Sequence, residues 1–207
     1  MIKAILFDMD GVLIDARDWH YEALNRALAL FGMAINRDAH LASFDGLPTR
    51  RKLELLSKSR GLPLGLHDFL NELKQAYTQE IIAARCKPTF NVQMALSQLH
   101  RQGYRLAVCS NSVRRTVTAM MDMADLTPYL ELMLSNEDVA RAKPDPEIYL
   151  TAMDRLGVKP HECLVVEDND NGIAAARAAG ARVLVVGSPA DVTFERIVGE
   201  LDLRGAA

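Results

Sequence analysis

Asp8 and Asp10, separated by Met9 and followed by Gly11, close an apolar run that opens the chain. Spaced two apart on an extended backbone, the two carboxylates share one side. A buried strand gains no stability by ending on paired acids, but one acid that attacks and one that moves a proton make a working pair. Gly11 frees the backbone to turn away and to approach a ligand closely. Other apolar runs also end on polar groups. Ser110 and Asn111 follow one, Glu167 and Asp168 follow another, and Lys143 sits in the segment Ala142-Lys143-Pro144-Asp145-Pro146. If the three strands are neighbours, Asp8, Asp10, Glu167 and Asp168 converge, and one lysine cannot neutralise four acids. A hard divalent cation resolves the repulsion. Mg²⁺ suits oxygen ligands and keeps positions for water and a substrate phosphate. One of the paired aspartates would then attack phosphorus while the other trades a proton with the leaving oxygen. Ser110 and Asn111 would supply a hydroxyl and an amide to the phosphate oxygens, and Lys143 the positive charge that the transferring group needs.

The elements that must position these residues read as α/β. The opening run extends from Lys3 to Asp8 around Ala4–Phe7, and further runs cover residues 105–109, 162–166 and 182–186, with a weaker one at 130–134. Continuous apolar runs, rather than alternation, mark strands covered on both faces of a parallel sheet. Val92, Ala95, Leu96 and Leu99 lie at helical spacing before Gly103. Ile173 to Ala179 form a second helical stretch before Gly180, and Ile148, Leu150 and Met153 a third behind two prolines. In such a sheet, ligands bind beyond the carboxyl ends of the strands.

Residues 16–85 contain no convincing strand. Ala23, Leu24, Ala27, Leu28 and Phe31 mark one helix that stops at Gly32, and Leu53 and Leu56 a second. Phe69, Leu73, Tyr77 and Ile81 mark a third. The expected organisation is a Rossmann-like parallel-sheet core from residues 1–15 and 86–207, with an all-helical insert at 16–85 placed as a lid. The tail after Leu201 reads as frayed.

Bulk properties narrow the function. The chain has 207 residues, 49% hydrophobic and 25% charged, as in an ordinary globular protein. Its net charge of -3 offers no general attraction to nucleic acid or an anionic membrane. No apolar run reaches the roughly 18 residues of a membrane span, and the N-terminus enters a strand without the pattern of a signal peptide. Cys86, Cys109 and Cys163 are widely spaced and odd in number, which reads as reduced packing thiols in a cytoplasmic protein. A monomer or weak homodimer is expected.

The four motifs together resemble the haloacid dehalogenase superfamily. Asp8-Met9-Asp10-Gly11-Val12 is similar to its first motif, Ser110-Asn111 to its second and Lys143-Pro144-Asp145-Pro146 to its third. Glu167-Asp168 with Gly172-Ile173-Ala174-Ala175-Ala176 and Ala179-Gly180 is similar to its fourth. The helical insert resembles the first cap type of that family, in the subgroup of small-molecule phosphatases and β-phosphoglucomutase. The resemblance implies that Asp8 is the nucleophile that forms an aspartyl phosphate. It makes Asp10 the general acid/base, with its backbone carbonyl on Mg²⁺. Asp168 becomes a metal ligand, and Glu167 a ligand directly or through water. Ser110 and Lys143 would hold the phosphoryl group, and Asn111 would add an amide contact. Asp10 also favours C–O–P esters, because an alkoxide leaving group needs a proton and a halide does not. Where the subgroup commonly has serine, this chain has Asn169, followed by Asp170, which reads as a solvated loop residue.

In the insert, His20 is a candidate substrate contact or a hinge packing residue, as is its neighbour Trp19. The stretch from Phe44 to Lys52 reads as the cap's substrate loop, with Gly46 permitting close approach and Arg50, beside Arg51 and Lys52, meeting an anionic substrate. Mutase-like relatives carry arginine three residues after the corresponding glycine, where this chain has Thr49 and only then Arg50. The expected function is a Mg²⁺-dependent phosphatase of a small phosphorylated metabolite, with sugar phosphates among the candidates. The alternatives are a β-phosphoglucomutase-like phosphotransferase and a non-catalytic regulator that binds a phosphorylated ligand.

Overall fold

The apolar runs pair into one parallel sheet. The structure, a computed structural model, describes residues 1–44 and 46–202. Strands β1 (Ala4–Phe7), β2 (Arg105–Cys109), β3 (Leu132–Leu134), β4 (Cys163–Glu167) and β5 (Arg182–Val185) run in the order β3-β2-β1-β4-β5. Among the described residues the helices are α1 (Arg17–Ala29), α2 (Arg37–Ser43), α3 (Thr49–Arg60), α4 (His67–Arg85), α5 (Phe90–Arg101), α6 (Arg114–Met123), α7 (Glu147–Arg155), α8 (Asp170–Ala178) and α9 (Phe194–Asp202). The chain divides into two units: Ala16–Cys86, which is helical, and Met1–Asp15 with the described residues from Lys87 onward, which holds the sheet.

In the sheet unit, β1 and β4 are buried from end to end, as continuous apolar runs require. Leu6, Ala107 and Val165 from the three central strands pack with Ile148 and Ala152 of α7 and Ala176 of α8. The register decides where the chemistry gathers. Phe7 pairs with Val108 on one side and with Val166 on the other. One residue further along come Asp8, Cys109 and Glu167, and one beyond those, Ser110 and Asp168. Because β1 has β2 and β3 to one side and β4 and β5 to the other, its carboxyl end lies where the strand order reverses, the place where open α/β sheets bind ligands.

Strand ends differ from the sequence reading by a residue or two. β1 stops at Phe7, although Lys3 and Asp8 still donate their amides to Glu162 and Val166 carbonyls at 2.7 and 3.0 Å. β4 runs to Glu167 rather than starting at Glu162, which sits in a short 3₁₀ turn with its carboxylate 2.6 Å from Lys3 Nζ. An apolar count stops before an acid, yet this acid is inside the sheet. β3 is shorter than expected, and β5 ends at Val185. Asp170 is the first residue of α8, not part of a loop.

The helical unit has its own core, which includes Leu24, Leu28, Phe44, Leu53, Leu56 and Leu70. α1 ends at Ala29, so Phe31 lies beyond it, partly exposed, with its ring edge-on to Phe69. The buried face of α4 is Leu70, Lys74, Thr78, Ile81 and Ile82, one position off the apolar stripe read from the sequence. Ile81 is common to both, Leu73 and Tyr77 of the stripe are partly buried and pack against the core of the unit, and Phe69 is exposed. The discrepancy is polar. Thr78 Oγ1 donates to the Lys74 carbonyl at 2.8 Å, and Lys74 Nζ lies 3.1 Å from His20 Nδ1, so buried polar groups are satisfied on a face that hydrophobic counting overlooks. α2 was not expected. It is seven residues long, and its one sequence signal is Asn36, whose side chain accepts from the Ala39 amide.

Asp45, within the expected substrate loop, and the expected frayed tail lie outside the described residues, apart from Leu201 and Asp202 at the end of α9. No helix among the described residues is long and apolar enough to cross a membrane. The three cysteines are buried, and none is in a disulfide among the described residues.

Burial separates two otherwise similar truncations. Leu6→Ala, at a fully buried position of β1, is expected to lower the unfolding free energy by about 2–5 kcal/mol in urea. Leu64→Ala, at a side chain that is 74% exposed, should change it by less than about 0.5 kcal/mol.

Candidate active site

Every donor of one buried ammonium is used at the carboxyl end of the sheet. Lys143 is 3% exposed. Its Nζ donates to Asp8 Oδ1 at 2.7 Å, to Glu167 Oε1 at 2.7 Å and to the Cys109 carbonyl at 2.8 Å. The three acceptors come from the ends of β1, β2 and β4, so the lysine ties three strands together. Burial works against its charge, but the Asp8 and Glu167 carboxylates outweigh burial and hold the ammonium well above the ordinary lysine range. Burial pushes the Asp8 carboxyl well above the usual carboxylate range. Lys143 opposes this, while Glu167, Asp168 and Asp10 push the same way.

Backbone geometry accounts for the placement of the aspartates. Asp8 extends β1 by one residue. Gly11 has φ 90°, a left-handed conformation that suits glycine, and its amide donates to the Ile14 carbonyl at 2.7 Å. The Leu13 and Ile14 amides fold back onto the Met9 carbonyl at 2.9 and 3.0 Å. This tight loop carries Asp10 just past the strand, where its Oδ2 accepts from Ser112 Oγ at 3.1 Å. Asp8, Glu167 and Asp168 each offer an oxygen within 4.8 Å of the others. Three of the four acids expected to share a cation are therefore gathered as a set; Asp10, whose metal contact is expected through its backbone carbonyl, turns its carboxylate to Ser112. Three hard oxygen donors against one ammonium suit Mg²⁺ better than a soft-ligand metal.

The other expected site residues of this unit are also in place. Ser110 is buried, and its Oγ accepts the Ser112 amide at 3.0 Å. Asn111 uses its side chain on the Lys143 backbone: Nδ2 donates to the carbonyl at 3.2 Å and Oδ1 accepts the amide at 3.0 Å. It therefore holds the lysine segment in position. Asn169 caps α8 by accepting the Gly172 amide at 3.1 Å and also donates to Asp168 Oδ1 at 3.1 Å. Asparagine at this position thus keeps the capping function of a serine and adds a donor for the neighbouring acid.

His20, Gly46 and Arg50 are in the helical unit. His20 is half-buried on α1 against Lys74. Gly46 has φ 69°. Arg50 is in the first turn of α3, mostly exposed, with the Asp68 carboxylate 3.9 Å away. Lys52, beside Arg50 in the expected substrate loop, is buried.

Sequence reading overlooked two residues. Ser112 lies two positions past the second motif, and only its contact with Asp10 singles it out. Tyr149 is on the buried face of α7 with Ile148, Ala152 and Met153, which in sequence reads as core. Its hydroxyl donates to Glu167 Oε1 at 2.6 Å, and its ring lies 4.8 Å from Lys143 Nζ.

The chain as a whole resembles known proteins. The family model described as haloacid dehalogenase-like hydrolase matches residues 5–186. A phosphorylated carbohydrates phosphatase of Thermotoga maritima is 31% identical over 182 residues, which cover 86% of this chain and 82% of that protein. A plasmid phosphoglycolate phosphatase of Cupriavidus necator is 31% identical over 209 residues, covering 96% of this chain and 90% of that protein. The crystal structure of a β-phosphoglucomutase from Clostridium difficile superposes with a TM-score of 0.84 at 22% identity, covering 98% of each chain, which shows a shared fold.

The buried charge network sets two expectations for stability. Lys143→Met leaves Asp8 and Glu167 without their cation and should cost about 3–5 kcal/mol, measured by urea unfolding in EDTA at pH 8. With its folded pKa raised above the unfolded value, Asp8 destabilises the fold as pH rises and stops doing so once protonated, so the loss in this variant should shrink towards pH 5. Gly172 sets the second. A Cβ there would lie 1.7 Å from Glu167 Oε1, so Gly172→Ala should cost about 1–3 kcal/mol in the same assay.

Proposed function

Since this chain belongs to the haloacid dehalogenase-like hydrolases, we propose that it is a Mg²⁺-dependent phosphatase of a small phosphorylated carbohydrate or related metabolite that works through an aspartyl phosphate on Asp8. The observation that carries this reading is the pairing of Asp8 with Lys143 at the end of β1, with Asp10 two residues on. Phosphatases of phosphorylated carbohydrates and of phosphoglycolate among its relatives support the substrate class.

An Asp8 oxygen attacks phosphorus, and the bond from phosphorus to the ester oxygen breaks. Asp10 gives its proton to that oxygen, so the alcohol leaves neutral. Asp10, now a carboxylate, takes a proton from the water that attacks the phosphorus of the aspartyl phosphate. Inorganic phosphate departs and Asp8 is restored. Lys143 favours the charged form of Asp8 against the burial that opposes it and offsets charge on the phosphoryl oxygens, with Ser110 beside them. Asn111 keeps the lysine segment in register. Ser112, bonded to Asp10, orients the acid/base. Asp8, Glu167 and Asp168, with the backbone carbonyl of Asp10, would hold Mg²⁺, which when bound neutralises the carboxylates and stabilises negative charge on the phosphoryl group.

His20, Gly46 and Arg50 are proposed as residues that select the leaving group. A phosphoglucomutase-like transferase is the lesser reading, since the likeness to that enzyme is one of fold. A non-catalytic regulator has no need of Asp8, Asp10 and Lys143 together, and all three are present. Three buried cysteines outside any disulfide among the described residues support a cytoplasmic setting, and a monomer or weak homodimer remains our reading.

Phosphate release from a panel of sugar, polyol and glycolate phosphates tests this reading. Release should require Mg²⁺ and stop in EDTA, with one ester class preferred. Asp8→Asn should abolish turnover, and Asp10→Asn should lower kcat by about 10²–10⁴-fold. Undiminished release in EDTA, or by Asp8→Asn, would contradict the mechanism.

A further inference from the structure

Glu167 is the most enclosed acid of the site, and the groups around it are specific. It is 0% exposed. Oε1 accepts from Lys143 Nζ at 2.7 Å and from Tyr149 OH at 2.6 Å. Two strong donors fill the two lone-pair directions of that oxygen. Oε2 is less committed. It takes the Asp168 amide at 3.1 Å and a long contact from Asn169 Nδ2 at 3.4 Å. Gly172 forms the wall, because any side chain there would occupy the place of the carboxylate. The lysine alone does not fix the orientation, since the same Nζ also serves Asp8 and the Cys109 carbonyl. The remaining strong donor to Oε1 comes from a fixed helix. Tyr149 is fully buried on α7, and its ring packs beside Lys143.

A phenol hydroxyl buried among apolar neighbours needs a partner. A phenylalanine would fill the same space without one. Tyrosine at this place therefore contributes the hydroxyl. We infer that Tyr149 is a positioning residue whose hydroxyl pins Glu167 Oε1 and thereby leaves the other oxygen, Oε2, as the one presented to a divalent cation. The inference rests on the reading of Asp8, Glu167 and Asp168 as a Mg²⁺ site. Partners that orient a metal-binding carboxylate commonly control affinity by about 10–100-fold.

Calorimetric titration of Mg²⁺ alone into the metal-stripped protein, without substrate, tests the inference on the wild type, Tyr149→Phe and Asp168→Asn. Phenylalanine keeps the ring, its packing and its face towards Lys143, so the melting temperature of Tyr149→Phe in EDTA should stay close to that of the wild type. The expected result is a Kd for Mg²⁺ raised about 10-fold or more in Tyr149→Phe, with binding largely lost in Asp168→Asn. A purely structural tyrosine would move the melting temperature and leave the affinity alone. Mg²⁺ affinity unchanged in Tyr149→Phe, with binding lost in Asp168→Asn, would overturn the role of Tyr149 while leaving the metal site standing. No Mg²⁺ binding to the wild type would overturn both. Should Tyr149→Phe melt far below the wild type, Gly172→Ser, whose Cβ would fall on the same carboxylate, replaces it in the titration, and an unchanged Kd there would overturn the inference.

Discussion

One ammonium between two buried carboxylates is the interaction on which the rest of the site depends. Lys143 joins Asp8, Glu167 and the Cys109 carbonyl at distances of 2.7, 2.7 and 2.8 Å. Without it, two acids would be desolvated side by side, and they would protonate or move apart. With it, Asp8 can be a carboxylate in a place where water is scarce. An exposed aspartate would be easily ionised but heavily hydrated. Burial removes that hydration and raises the energy of the charged form, and the lysine restores part of what burial takes away.

The sheet makes this arrangement cheap to build. Its central strand is flanked on both sides, so three strand ends reach one place without long loops. Register then sets the order along the strands, with Asp8, Cys109 and Glu167 level with one another and Ser110 and Asp168 one residue beyond. Helices supply the rest. α7 brings Tyr149 to Glu167, and the first turn of α8 brings Gly172 against the same carboxylate. Lys143 reaches the centre from a loop, but Asn111 holds both the amide and the carbonyl of its backbone. A loop residue is thereby made nearly as fixed as one on a strand.

Much of this was legible in the sequence, for identifiable reasons. Buried parallel strands leave continuous apolar runs, so all five strands appear within two residues of their ends, the weakest run being the short β3. Acids at strand ends stand out because stability does not explain them, which is why Asp8, Asp10, Glu167 and Asp168 could be picked without any coordinates. The misses share a cause: polar groups satisfied inside the protein look wrong to hydrophobic counting. Glu167 was placed after its strand rather than within it. On α4 an apolar count finds Leu73, Tyr77 and Ile81 but misses the fully buried row beside them, because Lys74 and Thr78 lie on it. Tyr149 passed for an ordinary core residue, since its apolar neighbours say nothing of a hydroxyl 2.6 Å from an acid. Ser112 depends on a contact across 102 residues of chain, which local pattern does not encode.

The central claim is that Asp8 carries the phosphoryl group, and covalent trapping tests it most directly. The Asp10→Asn variant, given p-nitrophenyl phosphate and Mg²⁺, should still be phosphorylated, because that leaving group departs without a proton, while attack by water loses its base. Borohydride reduces an acyl phosphate to an alcohol, so peptide mass spectrometry should find homoserine at position 8 in the treated protein and aspartate in a control without substrate. Aspartate unchanged at position 8, in a sample that still releases p-nitrophenol, would contradict the account.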